Sequence, residues 1–398
     1  ASKARINFIN NAPLNTLTGE RCIYGQTYSD DENFDTYLKF INNASITIDS
    51  TIYQGIAFSA GVDSLIFENY SPIQITNTNH DGLYLSSSNA GSVLDFKNHG
   101  NITIDNVVRQ GIYVNALHGA TTNFENYEFI HIKNTERHGF NSSSNNGVIN
   151  FLNQDTIKLA KINQTGIYND NLGEDDTYLN TYNITNNGHI SILKAGDHGW
   201  YNYSYKGPFT IVNEGSITFE EVEDIGFYNN THQEGSLQFT NNGALALENI
   251  DNHGIYGVTN ANATFEFINN DEIFVDSTRL ACISTYGNNG TTLFTNNAAI
   301  DVQGCGEHGL VLYGRQDTVA YPVTINFKNY GDFAIKNTNY DGILFDSARG
   351  ILTAENFGNI DISDTGRRGI LNYNRGSILT ETNPVSYTHL TLPTSYPV

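Results

Sequence analysis

Residues 94–117 read LDFKNHGNITIDNVVRQGIYVNAL, and residues 122–145 repeat the same pattern as TNFENYEFIHIKNTERHGFNSSSN. Both stretches contain Phe-x-Asn, then two apolar β-branched residues spaced two apart, then a glycine thirteen residues after the asparagine. The asparagine recurs every 27 to 33 residues, at Asn10, Asn42, Asn69, Asn98, Asn126, Asn153, Asn186, Asn213, Asn241, Asn269, Asn296, Asn329 and Asn356. From Asn42 onward the glycine keeps this distance in every repeat except one, where Cys282 replaces it. A fixed-period unit whose length varies in one loop is typical of a solenoid.

Each repeat contains three short runs in which apolar and polar residues alternate, and these runs are rich in Phe and Ile. This period and composition predict β-strands, and no segment has the spacing of an amphipathic helix. The sequence therefore predicts an all-β parallel β-helix of about 13 coils of 27–33 residues, with three strands per coil. Equivalent residues would stack at about 4.8 Å. We expect the asparagine amides to bond to one another between coils, and the glycines to adopt positive φ at a bend.

The unbroken repeat predicts one elongated domain over residues 1–383. Residues 384–398 leave the pattern, and their VSYTHLTLPT run resembles a translated sequencing adapter, so we interpret them as a non-native tail. We expect the chain to be an internal fragment of a longer protein, because no solenoid cap is visible. The net charge of −22 argues against nucleic acid or an anionic membrane as partner, and no apolar stretch reaches transmembrane length.

Three cysteines, Cys22, Cys282 and Cys305, are too few for a disulfide framework. Cys282 and Cys305 would lie in neighbouring coils, but they are offset by four residues along the coil. We therefore expect free thiols at all three positions.

The Phe-x-Asn, Ile-x-Ile and Gly-Ile-Tyr columns resemble those of right-handed parallel β-helix proteins of the pectin-lyase-like superfamily, especially secreted repeat proteins and adhesins of Gram-negative bacteria. The resemblance covers residues 5–383. It implies secretion or display at the cell surface, with the signal peptide and anchor outside this fragment. It does not select a function, since this fold carries lyases, hydrolases and adhesins.

A tyrosine follows two residues after many of the glycines, and alternation along the strand should point its ring outward. These tyrosines are Tyr84, Tyr113, Tyr168, Tyr201, Tyr228 and Tyr256. Such rings stack against sugars, and the phenol adds a hydrogen-bonding group. The pattern predicts a polysaccharide-binding or cell-surface glycan-binding stripe, and a purely structural stack of aromatics is the alternative.

Histidines directly precede the glycine in four repeats, namely His138, His198, His253 and His308. They are interpreted as polar residues at a bend, because alternate coils place them too far apart to share a metal ion.

Carboxylates offer weaker candidates for catalysis or metal binding. Asp197 and Asp224 occupy the same place in adjacent repeats, so they should lie about 5 Å apart. That separation suits Ca²⁺ or a retaining glycosidase pair. Asp175 and Asp176, in an acidic insertion, are further possible Ca²⁺ ligands. This insertion matches neither an EF-hand nor a repeat Ca²⁺ motif.

The function favoured by these patterns is an extracellular structural or adhesive β-helix segment without a cofactor, which presents the tyrosines to polysaccharide. A carbohydrate-active enzyme of the pectin-lyase-like fold, with Asp197 and Asp224 in its active site, is one alternative. A passive stalk or spacer is another.

Overall fold

The structure is a computed structural model that describes residues 3–28, 35–173, 180–315, 323–375 and 378–382. The described residues contain β-strands and no helices. The chain divides into two compact units: unit 1 is residues 1–196 with 206–209, and unit 2 is residues 197–205 with 210–398. The prediction of a single domain over residues 1–383 stays a prediction. The proposed tail, residues 384–398, lies outside the described residues.

Unit 1 has three parallel sheets, and each coil contributes one strand to each sheet. Sheet 1 of unit 1, whose strands end in the repeating asparagine, contains β1 (Lys3–Asn10), β4 (Asp35–Asn42), β7 (Ser64–Asn69), β10 (Val93–Asn98), β13 (Thr121–Asn126), β16 (Val148–Asn153) and β19 (Thr181–Asn186). Sheet 2 contains β2 (Leu14–Gly19), β5 (Ile46–Thr51), β8 (Ile73–Thr78), β11 (Ile102–Val107), β14 (Ile130–Thr135), β17 (Thr156–Ile162) and β20 (His189–Ala195). Sheet 3 contains β3 (Ile23–Thr27), β6 (Ile56–Ala60), β9 (Leu83–Ser87), β12 (Ile112–Leu117), β15 (Phe140–Asn145) and β18 (Ile167–Leu172).

Unit 2 repeats this arrangement, although Pro208 and Phe209 at the start of β22 belong to unit 1. Its sheet 1 contains β22 (Pro208–Asn213), β25 (Ser236–Asn241), β28 (Thr264–Asn269), β31 (Thr291–Asn296), β34 (Thr324–Asn329), β37 (Ile351–Asn356) and β40 (Ile378–Thr382). Sheet 2 contains β23 (Ser216–Val222), β26 (Leu245–Ile250), β29 (Ile273–Thr278), β32 (Ile300–Cys305), β35 (Phe333–Thr338) and β38 (Ile360–Thr365). Sheet 3 contains β21 (Trp200–Tyr205), β24 (Phe227–His232), β27 (Ile255–Asn260), β30 (Ile283–Asn288), β33 (Leu310–Arg315), β36 (Ile343–Ala348) and β39 (Ile370–Arg375). The predicted parallel β-solenoid with three strands per coil is confirmed.

The core of each unit consists of like residues stacked on like. Phe96 pairs in register with Phe124, and their ring centroids lie 5.0 Å apart. Phe267 and Phe294 in unit 2 are likewise 5.0 Å apart. These four rings are almost fully buried, because every coil directs the same side chain inward. The common register follows from the near-constant spacing between the columns of the sequence.

The asparagines form a buried ladder in each unit, as the sequence predicts. Nδ2 of Asn98 donates to Oδ1 of Asn126 at 2.8 Å, and Asn126 donates in turn to Asn153 at 2.8 Å. In unit 2, Asn241 donates to Asn269 at 2.9 Å. The ladder satisfies amide groups that would be costly to bury unpaired.

The glycines that directly precede the strands of sheet 3 do not have positive φ, so this prediction is wrong. Positive φ occurs instead at the end of sheet 2, for example at Asn106 and Asn134. The glycine is required by close packing: a Cβ on Gly111 would lie 2.3 Å from Cγ2 of Ile132 and 2.7 Å from the carbonyl oxygen of Gly139. A side chain there would force neighbouring coils to move.

The expectation of three free thiols is also wrong, because Cys282 and Cys305 form a disulfide with Cα atoms 5.5 Å apart. Cys305 pairs in register with Thr278 of the preceding coil. Thr278 and Cys282 flank one bend, and Oγ1 of Thr278 lies 3.4 Å from Sγ of Cys282. The four residues from Thr278 to Cys282 therefore turn the chain around the bend, and this turn places the sulfur of Cys282 beside that of Cys305. Cys22 is a free thiol.

Candidate functional site

The outward tyrosines of unit 2 form a continuous row on sheet 3. Tyr201 pairs in register with Tyr228, and Tyr228 pairs with Tyr256. The ring centroids are 5.1 Å apart for the first pair, which meets edge to face, and 5.4 Å apart for the second, which stacks. Each ring is half-buried. We call these three residues the unit 2 Tyr row.

The phenols of Tyr228 and Tyr256 stay neutral over the ordinary pH range. Burial raises the pKa of Tyr256 to about 12, and the neighbouring Tyr228 and Tyr286 add to the effect. Burial also raises the pKa of Tyr228, with a smaller contribution from Asp224. Neutral phenols can both donate and accept hydrogen bonds, which suits a ligand rich in hydroxyl groups.

The tyrosine column of unit 1 is interrupted. Tyr84 and Tyr113 stack with centroids 5.3 Å apart. The next coil places Asn141 in the column, so Tyr168 does not reach Tyr113 and stacks on His138 at 4.7 Å instead. Asn141 therefore interrupts the predicted stripe within unit 1.

Histidines before the glycine pack against the tyrosines, a contact that the residue pattern alone did not predict. His198 stacks on Tyr201 with centroids 5.5 Å apart, and His253 stacks on Tyr256 at 4.8 Å. Burial lowers the pKa of both histidines. The spacing of three residues between the histidine and the tyrosine, across the bend, is the pattern that indicates this contact.

Asp197 and Asp224 meet around His198, and we call these three residues the Asp–His cluster. Oδ1 of Asp197 lies 3.5 Å from Nε2 of His198, and Oδ2 of Asp224 lies 3.4 Å from Nδ1. The three side chains offer ligand atoms that all lie within 4.8 Å of one another. One imidazole and two carboxylates form a donor set that divalent cations accept. The sequence predicted the two carboxylates but not the imidazole between them.

Three further acidic side chains lie close to Asp224 in the sequence. Glu220, Glu221 and Glu223 are exposed on the same stretch of chain. Asp175 and Asp176 lie outside the described residues.

A pocket of about 440 Å³ on sheet 3 of unit 1 was not anticipated from the sequence. We call it the Ala57 pocket, after the small residue that occupies the tyrosine column there. Its lining is Arg21, Tyr24, Gln54, Ala57, Ser59, His80, Asp81, Tyr84, Arg109 and Tyr113. The residues come from four successive coils, so no contiguous motif marks them.

The Ala57 pocket contains a buried carboxylate. Asp81 is 1% exposed, and its Oδ2 lies 2.7 Å from Nδ1 of His80. Its Oδ1 accepts a hydrogen bond from the backbone N–H of Gln110 at 3.2 Å. Burial raises the pKa of Asp81, while the nearby His80 and Arg109 oppose this shift.

Two arginines lie near Asp81 and His80. Nε of Arg21 donates to Oε1 of Gln54 at 2.9 Å, and its guanidinium lies over the ring of Tyr24, 5.0 Å from the centroid. Arg109 donates to Nε2 of His80. Among the described residues, no carboxylate lies within ion-pair distance of either guanidinium.

No protein-family model matches this chain, and no curated protein or solved structure is significantly similar to it. The resemblance to pectin-lyase-like proteins therefore remains a prediction beyond the shared β-helix architecture. In the part of the chain that the structure describes, no helix has the length and apolar character needed to cross a membrane.

Proposed function

We propose that this protein is an extracellular, non-enzymatic β-helix segment that binds polysaccharide through its outward tyrosines. The observation that carries the proposal is the unit 2 Tyr row, in which three rings repeat at the coil spacing along one sheet. A pyranose residue in an extended glycan has a length similar to one coil step. Successive sugars could therefore meet successive rings, and each phenol could bond to their hydroxyl groups.

The disulfide supports an extracellular location. Disulfides form and persist in oxidising compartments and are rare in reducing ones. Cys282 and Cys305 are both buried, so their bond would be part of the folded core of unit 2.

The test is glycan-array binding by the whole chain and by a variant with Tyr201→Ala, Tyr228→Ala and Tyr256→Ala. We expect the triple variant to lose at least about 10-fold in affinity, since aromatic contacts contribute on the order of 1 kcal/mol each. A Tyr228→Phe variant keeps the ring and should retain most of the binding. Tyr330→Ala removes a half-exposed tyrosine that stacks on Phe357 instead, and serves as the control.

Equal binding by the triple variant and the parent chain would refute the role of the row. Absence of binding to every glycan would favour a passive spacer.

A second candidate function is polysaccharide cleavage at the Asp–His cluster, and the proximity of Asp197 and Asp224 favours it. The two catalytic carboxyl groups of retaining glycosidases lie about 5–5.5 Å apart. The carboxylates of Asp197 and Asp224 offer oxygen atoms within 4.8 Å of one another. Incubation with neutral and acidic polysaccharides would reveal depolymerisation, and Asp224→Asn should abolish it. Unchanged polymer length with the parent chain would exclude this candidate for the substrates used.

A further inference from the structure

The tyrosine column of unit 1 has a gap that is one ring wide. Tyr24, Ala57 and Tyr84 occupy consecutive places in the column, because β3 pairs with β6 and β6 with β9. Two coil steps separate Tyr24 from Tyr84, or about 10 Å. Ala57 has no ring to fill the space between them, and Ser59, two residues further on, is also small. Ala57 itself is only 3% exposed, and Arg21, which lies over Tyr24 and donates to Gln54, occupies the Tyr24 side of the gap. The space open to a ligand is therefore the part of the Ala57 pocket lined by Tyr84 and Tyr113.

Positive charge is concentrated at this gap, although the chain has a net charge of −22 and only 20 basic side chains. Arg21 lies on the Tyr24 side of the gap, and Arg109 lies beside His80 near Tyr84. Among the described residues, Asp81 is the one acidic residue of the lining, and its oxygens face His80 and the backbone of Gln110. The pocket therefore presents positive charge to a ligand.

Arg109 also has an unused donor. Its Nε is buried without a hydrogen-bond partner among the described residues. A buried donor without a partner costs free energy, and an anion in the pocket would interact favourably with the guanidinium charge without contacting Nε itself. An anionic ligand would thus gain from both guanidinium groups.

Neutral hydrogen-bonding groups complete the lining. Gln54, Ser59 and the phenols of Tyr84 and Tyr113 surround the gap. Burial raises the pKa of Tyr113 to about 12, so its phenol can donate as well as accept. Aromatic faces combined with hydroxyl and amide groups suit a sugar ring better than a wholly apolar ligand.

We propose that the Ala57 pocket binds a sugar ring that carries one anionic group, a carboxylate or a sulfate. The ring lies in the gap left by Ala57, against Tyr84, and the anionic group lies between Arg21 and Arg109. Because these residues belong to unit 1, the pocket can bind its ligand whether or not the unit 2 Tyr row binds glycans.

The probes are methyl β-glucuronide, which carries a carboxylate, methyl β-glucoside, which is its neutral counterpart, and glucose 6-sulfate. Ligand-observed NMR titration of the whole chain would measure their affinities. We expect the glucuronide or the sulfate to bind about 10-fold more tightly than the glucoside, because charge-assisted hydrogen bonds contribute more than neutral ones. The anionic probe that binds more tightly shows whether the pocket prefers a carboxylate or a sulfate. Equal binding of all three sugars, or no binding of any, would overturn the proposal.

The decisive variant is Ala57→Tyr, which restores the ring column and fills the gap without removing any side chain of the pocket. It should weaken binding of the preferred anionic sugar about 10-fold or more. Ser284→Tyr adds a ring to the same column in unit 2, next to Tyr256, and should leave that affinity unchanged. Tight binding by Ala57→Tyr would overturn the proposal.

Arg21→Gln provides an independent test if Ala57→Tyr fails to fold. It should lower the affinity for the anionic sugar toward that of the glucoside while leaving the glucoside unchanged. An unaltered preference for the anionic sugar would count against the pocket. Loss of glycan-array binding in the Tyr201, Tyr228 and Tyr256 variant, with these monosaccharide affinities intact, would separate the two sites.

Discussion

Oδ2 of Asp224 lies 3.4 Å from Nδ1 of His198, which belongs to the preceding coil. The contact depends on the solenoid register, since the backbone N–H of Asp224 donates to the carbonyl oxygen of Asp197 at 3.2 Å. Asn252 of the following coil donates to Oδ1 of Asp224 at 2.6 Å and holds its carboxylate in place. Three coils thus position one carboxylate beside one imidazole.

We predict that the Asp–His cluster binds a divalent cation. The imidazole favours Zn²⁺ over Ca²⁺, because Ca²⁺ prefers oxygen ligands. Addition of Zn²⁺ should raise the melting temperature of the protein, and a chelator should reverse the shift. Asp224→Asn should remove most of the effect, while Glu223→Gln, at an exposed neighbour, should preserve it. If Zn²⁺ and Ca²⁺ both leave the melting temperature unchanged, the cluster is not a metal site.

A second prediction concerns His131, which faces outward from sheet 2. Burial lowers its pKa, and Lys158 and Lys133 lower it further, against a small opposing effect of Asp105. The unfolded chain therefore binds a proton more readily than the folded protein as the pH falls through 6.5, so acidification reduces the free energy of unfolding. His131→Thr, which copies Thr103 of the preceding coil, should reduce this loss between about pH 7 and pH 5.

Urea unfolding at several pH values would measure the effect of His131. Lys158→Gln should also reduce the loss, because it removes a positive charge that opposes protonation. A pH dependence identical to that of the parent chain in both variants would contradict the assignment.

The third prediction is that Asn126→Ala strongly destabilises unit 1. The substitution leaves the amide of Asn98 without its acceptor and the carbonyl of Asn153 without its donor, both in a buried position. Unsatisfied buried polar groups cost about 1–3 kcal/mol each. We expect a loss of about 2–5 kcal/mol in the free energy of unfolding, measured by urea titration.

Asn43→Ala is the matched control for the ladder, because Asn43 makes a similar bond to Asn11 on the exposed surface. It should change the free energy of unfolding by less than about 0.5 kcal/mol. Similar losses in the two variants would mean that burial does not account for the contribution of the ladder.

The fourth prediction concerns the disulfide between Cys282 and Cys305. Alkylation of the denatured, unreduced protein should label Cys22 alone, and reduction should expose two further thiols to mass spectrometry. Reduction should also destabilise unit 2 by about 3 kcal/mol, as expected for a loop of this length. Labelling of all three cysteines without a reductant would rule out the bond.

Several of these features could be predicted from the sequence. Phe96 stacks on Phe124, and Asn98 bonds to Asn126, because both columns recur at one spacing and a parallel strand pairs each residue with its equivalent. The outward direction of Tyr228 follows from alternation along β24. The adjacency of Asp197 and Asp224 follows from the same register.

Features that depend on the bends could not be predicted in this way. A linear count placed Cys282 and Cys305 too far apart, since it ignored the turn of the chain between them. The sequence predicts His198 only as a polar residue at a bend, whereas the structure directs its ring between two carboxylates. The sequence predicts that the glycines adopt positive φ. The structure shows instead that glycine is needed because Ile132 packs too close to Gly111 for a side chain, and that closeness depends on packing between sheets.

The sequence by itself determined the coil, its three strands and the register of each column, because a repeated pattern of buried side chains allows one alignment of neighbouring strands. Only the tertiary structure decided how Arg21, Asp81 and Arg109 converge at Ala57. These residues lie in different coils, and their convergence depends on side-chain directions at the bends and on the ring that Ala57 lacks. Neither property is contained in the periodicity that determines the fold.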